Sequence, residues 1–487
     1  MSFLNLGHVF SFLNQVCPEN LLPDLENQAF PDLSIDTRKI LPAGNKRHTI
    51  FIAIKGEQTD GHEYVLQAAK QGAIGAIISD TYVYPETVQS QFPKDFFLIR
   101  VNNTQAALIQ LAKCYRAKFS LPVVGITGSC GKTTVKEMTA QILERVGPTL
   151  KTEGNYNNEI GLPLTILKLK QHHQFAVIEM GARHVGDIKT LSDIAKPTLS
   201  VVTLVASAHL EIFKTIENIA KTKGEIYHGL SKTGFAIINR DEPCCDYFIH
   251  SCVNHASLVT FGLEPGVEPR ADYFASEIKY LPMETAFLLH TPIGQVEINL
   301  PIPGKHQVAN ALAAASLAGA LGVSLEHIQA GLNHFSTLSG RMNIKSHPTG
   351  AVIIDDTYNA NPASLLAAME VLARYPGKKC LILGDMGELG DQTEKCHFEM
   401  GEKAKTLGIH YLFTVGILSE QASKAFGLGA AHLSNQAAII SAVKKLLDKN
   451  FTVLVKGSRS AGMEKVVNGL ISQEQEQEQG QAACFIG

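Results

Sequence analysis

The sequence predicts an α/β protein of three domains. A small N-terminal α/β domain spans 1–103, and a central phosphate-loop domain with a parallel-rich sheet spans 104–337. A doubly wound C-terminal domain spans 338–472, and a disordered tail spans 473–487. Three observations predict this. A length of 487 residues suits about three domains, and 45% hydrophobic residues can fill several cores. Short apolar runs alternate with helical stretches, the pattern of parallel sheets covered by helices. One glycine-rich turn sits between such a run and a helix and ends in Lys-Thr.

In the first domain, residues 49–54 and 73–78 read as strands and 62–71 between them as a helix. Ser34, Asp36, Thr37 and Arg38 precede them, offering hydroxyls, a carboxylate and a guanidinium within one turn. From spacing alone this peptide is either an anion contact or a solvated turn.

In the second domain, Val123, Val124, Gly125 and Ile126 form a buried run. Thr127, Gly128, Ser129, Cys130, Gly131, Lys132 and Thr133 follow, and 135–143 reads as a helix. The glycines let backbone N–H groups face a polyphosphate, and the helix N-terminus adds partial positive charge. Lys132 is expected to reach the β- and γ-phosphates and the Thr133 hydroxyl to ligate Mg²⁺. The strict spacing is missed by one residue, since Ile126 stands where the first glycine belongs and Gly125 one step before it. Cys130 is either a thiolate favoured by Lys132 and the helix terminus or a small inert filler of a tight turn. Residues 175–181 form a second strand carrying Glu179 near its end, where a phosphate-loop protein needs a metal ligand or a water-positioning acid. A third strand at 199–205 leads to His209, a metal ligand or a structural histidine. Residues 307–325 carry no charge and are long enough to span a bilayer, but Ala, Gly and Ser dominate them, which predicts a closely packed buried helix.

In the third domain, 351–355, 379–383, 410–415 and 451–455 read as buried strands, with helices over 362–374 and 435–447 between them. The polar strand ends at 356–359, 384–388 and 456–459 are where a parallel sheet binds ligands. No Gly-x-Gly-x-x-Gly is present. The Gln/Glu-rich tail reads as disordered, and its Cys484 lacks the polybasic stretch and the usual last residue of a prenylation box.

A net charge of −3 without a basic block excludes a general nucleic-acid binder. Nine cysteines without Cys-x-x-Cys spacing, behind a start lacking a basic secretory region, predict reduced thiols in a cytoplasmic protein with no stable membrane anchor. Cys244, Cys245 and Cys252 lack the partners of a metal cluster.

Together these stretches resemble the Mur ligases. The resemblance covers nearly the whole chain except the tail. It rests on the 127–134 loop, on 152–163 with Asn157 and Asn158, and on 208–211 with 221–227. It rests also on 304–306 with Asn310, on 339–342 and on 355–362. The last stretch resembles the branch that adds D-alanyl-D-alanine to UDP-MurNAc-tripeptide in peptidoglycan precursor synthesis. The resemblance implies an N-terminal UDP-binding domain, a central ATPase domain and a Rossmann-like C-terminal domain. It implies ATP and Mg²⁺ as cofactors, those two small molecules as substrates, and a monomer. By position, Lys132 and Thr133 handle phosphate and Mg²⁺. Glu179 and His209 ligate metal, and Lys223, in Lys-x-x-Ile-Tyr, matches the lysine that the family carbamylates. Asn310, Arg341 and Asp356 match nucleotide contacts. Ser34, Thr37 and Arg38 match the uridine-nucleotide segment, with Asn157 and Asn158 on the substrate side. After that segment the relatives usually read Gly-Asp-x-Phe-x-Ala, whereas here Gly44 is followed by Asn45, Lys46, Arg47 and His48, longer and more basic. Folylpolyglutamate synthase shares the fold and the acyl-phosphate chemistry, but the Ser34–Arg38 unit and the 355–362 stretch argue against it. Intact Lys132, Glu179 and Lys223 argue against a catalytically silent sugar-nucleotide binder. A phosphate-loop kinase or motor leaves the second α/β domain unexplained.

Overall fold

The computed structural model describes residues 4–16, 29–40, 49–206, 210–252, 256–263 and 270–472. His209, the basic loop at 41–48 and the tail at 473–487 lie outside these. The described chain builds three sheets.

The first has four parallel strands in the order Asp32–Ser34, Thr49–Ile52, Gly75–Ser79 and Phe97–Val101. Ile50, Ile52, Ile77 and Ile78 are fully buried, so both faces of the sheet are covered. The helix expected from His62 begins as a 3₁₀ turn, Gly61–Tyr64, because Asp60 accepts from the His62 amide. It continues as Val65–Gln71 and stops at Gly72, whose φ of 110° suits a glycine.

The central sheet has nine strands. The phosphate-loop strand Val123–Thr127 lies between Phe175–Glu179 and Leu199–Val202, with Thr149–Lys151 beyond the former. Phe235–Asn239, Ser257–Gly262 and Tyr273–Tyr280 continue it in parallel on the other side. Thr285–Thr291 and Gly294–Leu300 then close that edge antiparallel. This hairpin was not read from the sequence. Its alternating burial, Thr285, Phe287 and Leu289 inward, marks a sheet covered on one face.

Successive residues of the inner strands serve two cores. Val123, Ala176, Ile178 and Val202 point into a core shared with the N-terminal sheet and with Leu108 of the helix Thr104–Arg116. Val124, Ile126, Val177 and Val201 point the other way, into a core that runs through Leu312 to Leu365 and Leu383 of the C-terminal sheet. The period-2 alternation of a strand thus binds all three units together, at roughly 1.5–3 kcal/mol for each large side chain buried.

The uncharged stretch is a buried helix, Lys305–Ala320, lying on the phosphate-loop helix Lys132–Leu143. It ends before residue 325 because Gly322, at φ 78°, turns the chain and Ser324 caps a new helix, Leu325–Asn333. Its small residues allow the close approach expected: a Cβ on Gly319 would stand 2.0 Å from the Tyr273 hydroxyl oxygen. Among the described residues, no helix is long and apolar enough to cross a membrane.

The C-terminal sheet runs Asn343–Ser346, Val352–Asp356, Phe451–Lys456, Lys378–Gly384, Tyr411–Val415, Ala430–His432. It is parallel, as doubly wound sheets are, except for the antiparallel first strand. The helix Pro362–Ala373 starts at Asn361 with a capping box to Ser364 and proline in its first turn.

Candidate active site

The phosphate loop is pinned before any ligand arrives. Thr127 Oγ1 donates to the Met180 carbonyl at 2.8 Å, tying the loop to the neighbouring strand end. Gly128 has φ 152°, and a Cβ there would stand 2.0 Å from Thr203 Oγ1. That hydroxyl donates to the carbonyls of Thr127 and Cys130. Ser129 exchanges hydrogen bonds of 3.0 Å with the backbone of Ala206. Gly131, at φ 82°, opens the helix, and a Cβ there would meet Asn310 Oδ1 at 2.5 Å. Glycine is required at both positions, by conformation and by space.

Lys132 is the first helical residue and half-buried. Its Nζ donates to the Gly128 carbonyl at 2.8 Å. Desolvation lowers its pKa, Glu179 and Cys130 oppose this, and the nearby Arg341 adds to it. Thr133 is buried beside it.

Glu179 faces this loop from the next strand, where Ile126 pairs with it in register. It is 2% exposed. Oε1 accepts from the Asn157 amide at 2.8 Å, and Oε2 has no hydrogen-bond partner among the described residues. A buried carboxylate oxygen left unsatisfied is costly unless a cation completes it. Asn157 is itself fixed: Gly181 N donates to its carbonyl at 2.8 Å, and its carboxamide lies over Gly181. Asn158 Oδ1 accepts from Gly161 N at 2.9 Å, just ahead of the helix Gly161–Ile166.

Lys223, on the helix Ile216–His228, is buried. Its pKa is lowered to about 7, chiefly by burial and then by Lys132, with Cys130 acting the other way. It therefore shares the loop's electrostatic environment. His209 belongs to a segment outside the described residues.

The C-terminal unit covers the loop from the other side. Asn361 Nδ2 lies 3.2 Å from Cys130 Sγ. Arg341 stacks on Tyr358, 4.1 Å from its centroid. Asp356 Oδ1 accepts from Met342 N at 3.1 Å, and its Oδ2 pairs with Lys456. Lys456 is buried and also donates to the Asn359 carbonyl at 3.0 Å. The sequence reading marked this strand end but gave Lys456 no role; a lysine closing a buried apolar run is the signal. His306, in the 304–306 stretch that carries the resemblance and beside Gly304 at φ 121°, likewise had no role of its own. Its burial lowers the imidazole pKa to about 4, with Asp356 opposing, so it is neutral at physiological pH.

On the N-terminal unit, Ser34 Oγ donates to the Asp36 carbonyl at 2.9 Å and Thr37 is buried. Arg38 forks onto Asp36 through Nε and Nη2, both at 2.9 Å, leaving its side chain 85% exposed. This turn adjoins the 153–158 loop through Lys39, which donates to the Tyr156 hydroxyl. The structure thus gathers the loop, Glu179, Asn157, Lys223, Asn310, Arg341 and Asp356, and sets Ser34, Thr37 and Arg38 at the adjoining border.

A phosphate loop with an acidic strand end beside it, covered by a second doubly wound unit, is the arrangement of a nucleotide-using α/β protein. A family model described as the Mur ligase middle domain matches residues 126–318, and one described as the Mur ligase glutamate ligase domain matches 340–459. A UDP-N-acetylmuramoyl-tripeptide–D-alanyl-D-alanine ligase from Escherichia coli is 40% identical over 443 residues, 90% of this chain and 93% of its own. A crystal structure of MurF from Acinetobacter baumannii matches with a TM-score of 0.85 at 32% identity, covering 96% of this chain and 99% of that one. MurF ligase from Thermotoga maritima, solved in complex with ADP, matches at 0.77 and 28% identity, covering 91% and 97%. The chain belongs to the Mur ligase family. A folylpolyglutamate synthase of Mycobacterium tuberculosis, 17% identical, shares the fold alone.

Proposed function

We propose that this chain is the ATP-dependent ligase that joins D-alanyl-D-alanine to UDP-MurNAc-tripeptide, acting as a single chain in the cytoplasm. The observation that carries the chemistry is the buried Oε2 of Glu179, unsatisfied among the described residues and facing a preformed phosphate loop. The resemblance over nearly the whole chain carries the choice of substrates.

Amide formation from a carboxylate needs a better leaving group than oxide. In the reading proposed here, a carboxylate oxygen of the tripeptide attacks the ATP γ-phosphorus and ADP leaves, giving an acyl phosphate. The D-alanyl-D-alanine amine then attacks that carbonyl, phosphate departs with the carboxylate oxygen, and the amine loses a proton. Such transfer depends on positioning and charge neutralisation. The loop amides of 127–133 and Lys132 cradle the phosphates; Asn310, Arg341 and Asp356 border the nucleotide. Ser34, Thr37 and Arg38 meet the uridine end, with Asn157 and Asn158 beside the sugar peptide.

Glu179, Thr133, His209 and a carbamylated Lys223 would hold Mg²⁺, which supplies charge neutralisation at the transferring phosphoryl group. The donor set fits a hard cation: a hydroxyl, and a carboxylate oxygen without a hydrogen-bond partner among the described residues. The lowered pKa of Lys223 supports the carbamate. The ammonium first gives up one proton, and the free amine then adds CO₂ and releases a second, so a buried cation becomes a carbamate anion.

The test is phosphate release from MgATP with UDP-MurNAc-tripeptide, with and without D-alanyl-D-alanine. Sustained release is expected only with all three. Release supported instead by a folate and glutamate would contradict the reading.

A further inference from the structure

Lys39 and Tyr156 come from different units and stand 117 positions apart in the chain. Lys39 Nζ donates to the Tyr156 hydroxyl and also lies 4.8 Å from the ring centroid. Each partner is attached to something that matters. Lys39 ends the Ser34–Lys39 turn, which the Asp36–Arg38 fork and the Ser34 hydroxyl hold rigid. Tyr156 precedes Asn157, whose amide holds Glu179 Oε1 at 2.8 Å. The backbone at Tyr156 has little freedom: a Cβ on Gly161 would stand 2.4 Å from the Tyr156 Cα. A pull on the Tyr156 ring therefore passes to the Asn157 carboxamide, and from there to the acid that faces the phosphate loop.

We propose that Lys39 and Tyr156 are positioning residues that register the Ser34–Lys39 turn of the N-terminal unit against the Asn157–Glu179 pair. Neither touches the reacting atoms. Their contact sets the distance between the uridine-binding turn and the acid at the phosphate loop, so the tripeptide carboxylate arrives in line with the γ-phosphate. A Mur ligase bridges two fixed points with one long substrate, a UDP group at one end and a carboxylate at the other. A lost register penalises that substrate more than ATP, because the phosphate loop keeps its own ties through Thr127, Ser129 and Thr203. The proposal rests on the ligase reading above for the identity of the long substrate.

The test compares Lys39→Ala, Tyr156→Ala, their double variant and Lys39→Arg. The readouts are calorimetric titration with UDP-MurNAc-tripeptide and separately with ATP, steady-state kinetics and the unfolding midpoint. Each single alanine variant is expected to lose about tenfold in kcat/KM for the UDP substrate, the scale of one cation–π contact combined with one charge-assisted hydrogen bond. The ATP affinity and the unfolding midpoint stay at wild-type values. The double variant falls no further than either single one, because the two residues act as a pair. Lys39→Arg recovers most of the loss, since a guanidinium both stacks and donates. Unchanged kinetics in Lys39→Ala, additive losses, or an equal loss toward ATP with a lowered midpoint would each overturn the proposal. A wild-type chain that binds the UDP substrate without turning it over would overturn the ligase reading alone, and the ratio of binding constants would then decide the register proposal. A wild-type chain that does not bind it would overturn both.

Discussion

Lys223 carries its charge with difficulty. Buried beside Lys132, it has a pKa lowered to about 7, so the free amine is far more accessible at neutral pH than for an ordinary lysine. Lys223→Ala is expected to lose turnover, with acetate or formate restoring part of it by supplying the missing anion; activity that survives without added anion would remove the carbamate from the mechanism. Lys132→Ala should cost roughly 10²-fold or more in phosphate release, the usual effect of removing an electrostatic stabiliser. Among the described residues its side chain makes one hydrogen bond, to Gly128, so the unfolding midpoint should move little. Glu242 offers a pH test. It is buried, and burial raises its carboxyl pKa to about 7, with Val205 N opposing and Asp241 adding. The native chain thus holds a proton that the unfolded chain, with a pKa near 4.5, has already released. This group's contribution is complete below pH 4.5 and is lost as pH rises through 7. Glu242→Gln should match wild type at the acid end and exceed it above pH 7, by up to roughly 3 kcal/mol. Thermal melts from pH 4.5 to 8.5 check this, and parallel curves would refute it. The placement of residues was legible where a motif fixes the backbone, as at Lys132 and Gly131. Lys456, His306 and Lys39 were not, because their partners lie up to 117 positions away and only folding brings them together.

The strand–loop–helix unit from Val123 to Leu143 concentrates its constraint in two glycines. Gly131→Ala places a methyl group 2.5 Å from Asn310 Oδ1 at φ 82°. The strain is of order 1–2 kcal/mol, and the displaced carboxamide is expected to raise the KM for ATP more than that for D-alanyl-D-alanine. Steady-state kinetics with each substrate varied in turn would show it, and equal KM changes would contradict it. The one-residue shift of the first motif glycine did not prevent the loop, because φ above zero is needed at Gly128 and Gly131, whereas Ile126 sits in the strand and fills a core. The parallel strands were legible as continuous apolar runs between helices. The hairpin from Thr285 to Leu300 was not, since its outward positions are polar or only partly buried and no ligand motif draws attention to it. The long uncharged helix was legible as buried, but its end was not: Gly322 and Ser324 stop it inside an apparently continuous run.

At the scale of the molecule, one sheet with two apolar faces joins a unit on each side, and the border of all three units holds the candidate site. That architecture suits a reaction in which a nucleotide, a long acyl donor and an amine must meet without water intervening. Fold class and family resemblance were legible because the motifs occur in order along the chain. The packing of one unit on another was not, since it depends on which strand residues turn to which core. The central claim is that the substrate carboxylate itself attacks ATP at this border. The direct measurement uses UDP-MurNAc-tripeptide labelled with ¹⁸O in its reacting carboxylate, with MgATP, D-alanyl-D-alanine and the purified chain, and mass analysis of the released phosphate. An acyl phosphate requires the phosphate to carry one ¹⁸O for each amide formed; unlabelled phosphate released alongside the amide would contradict the account.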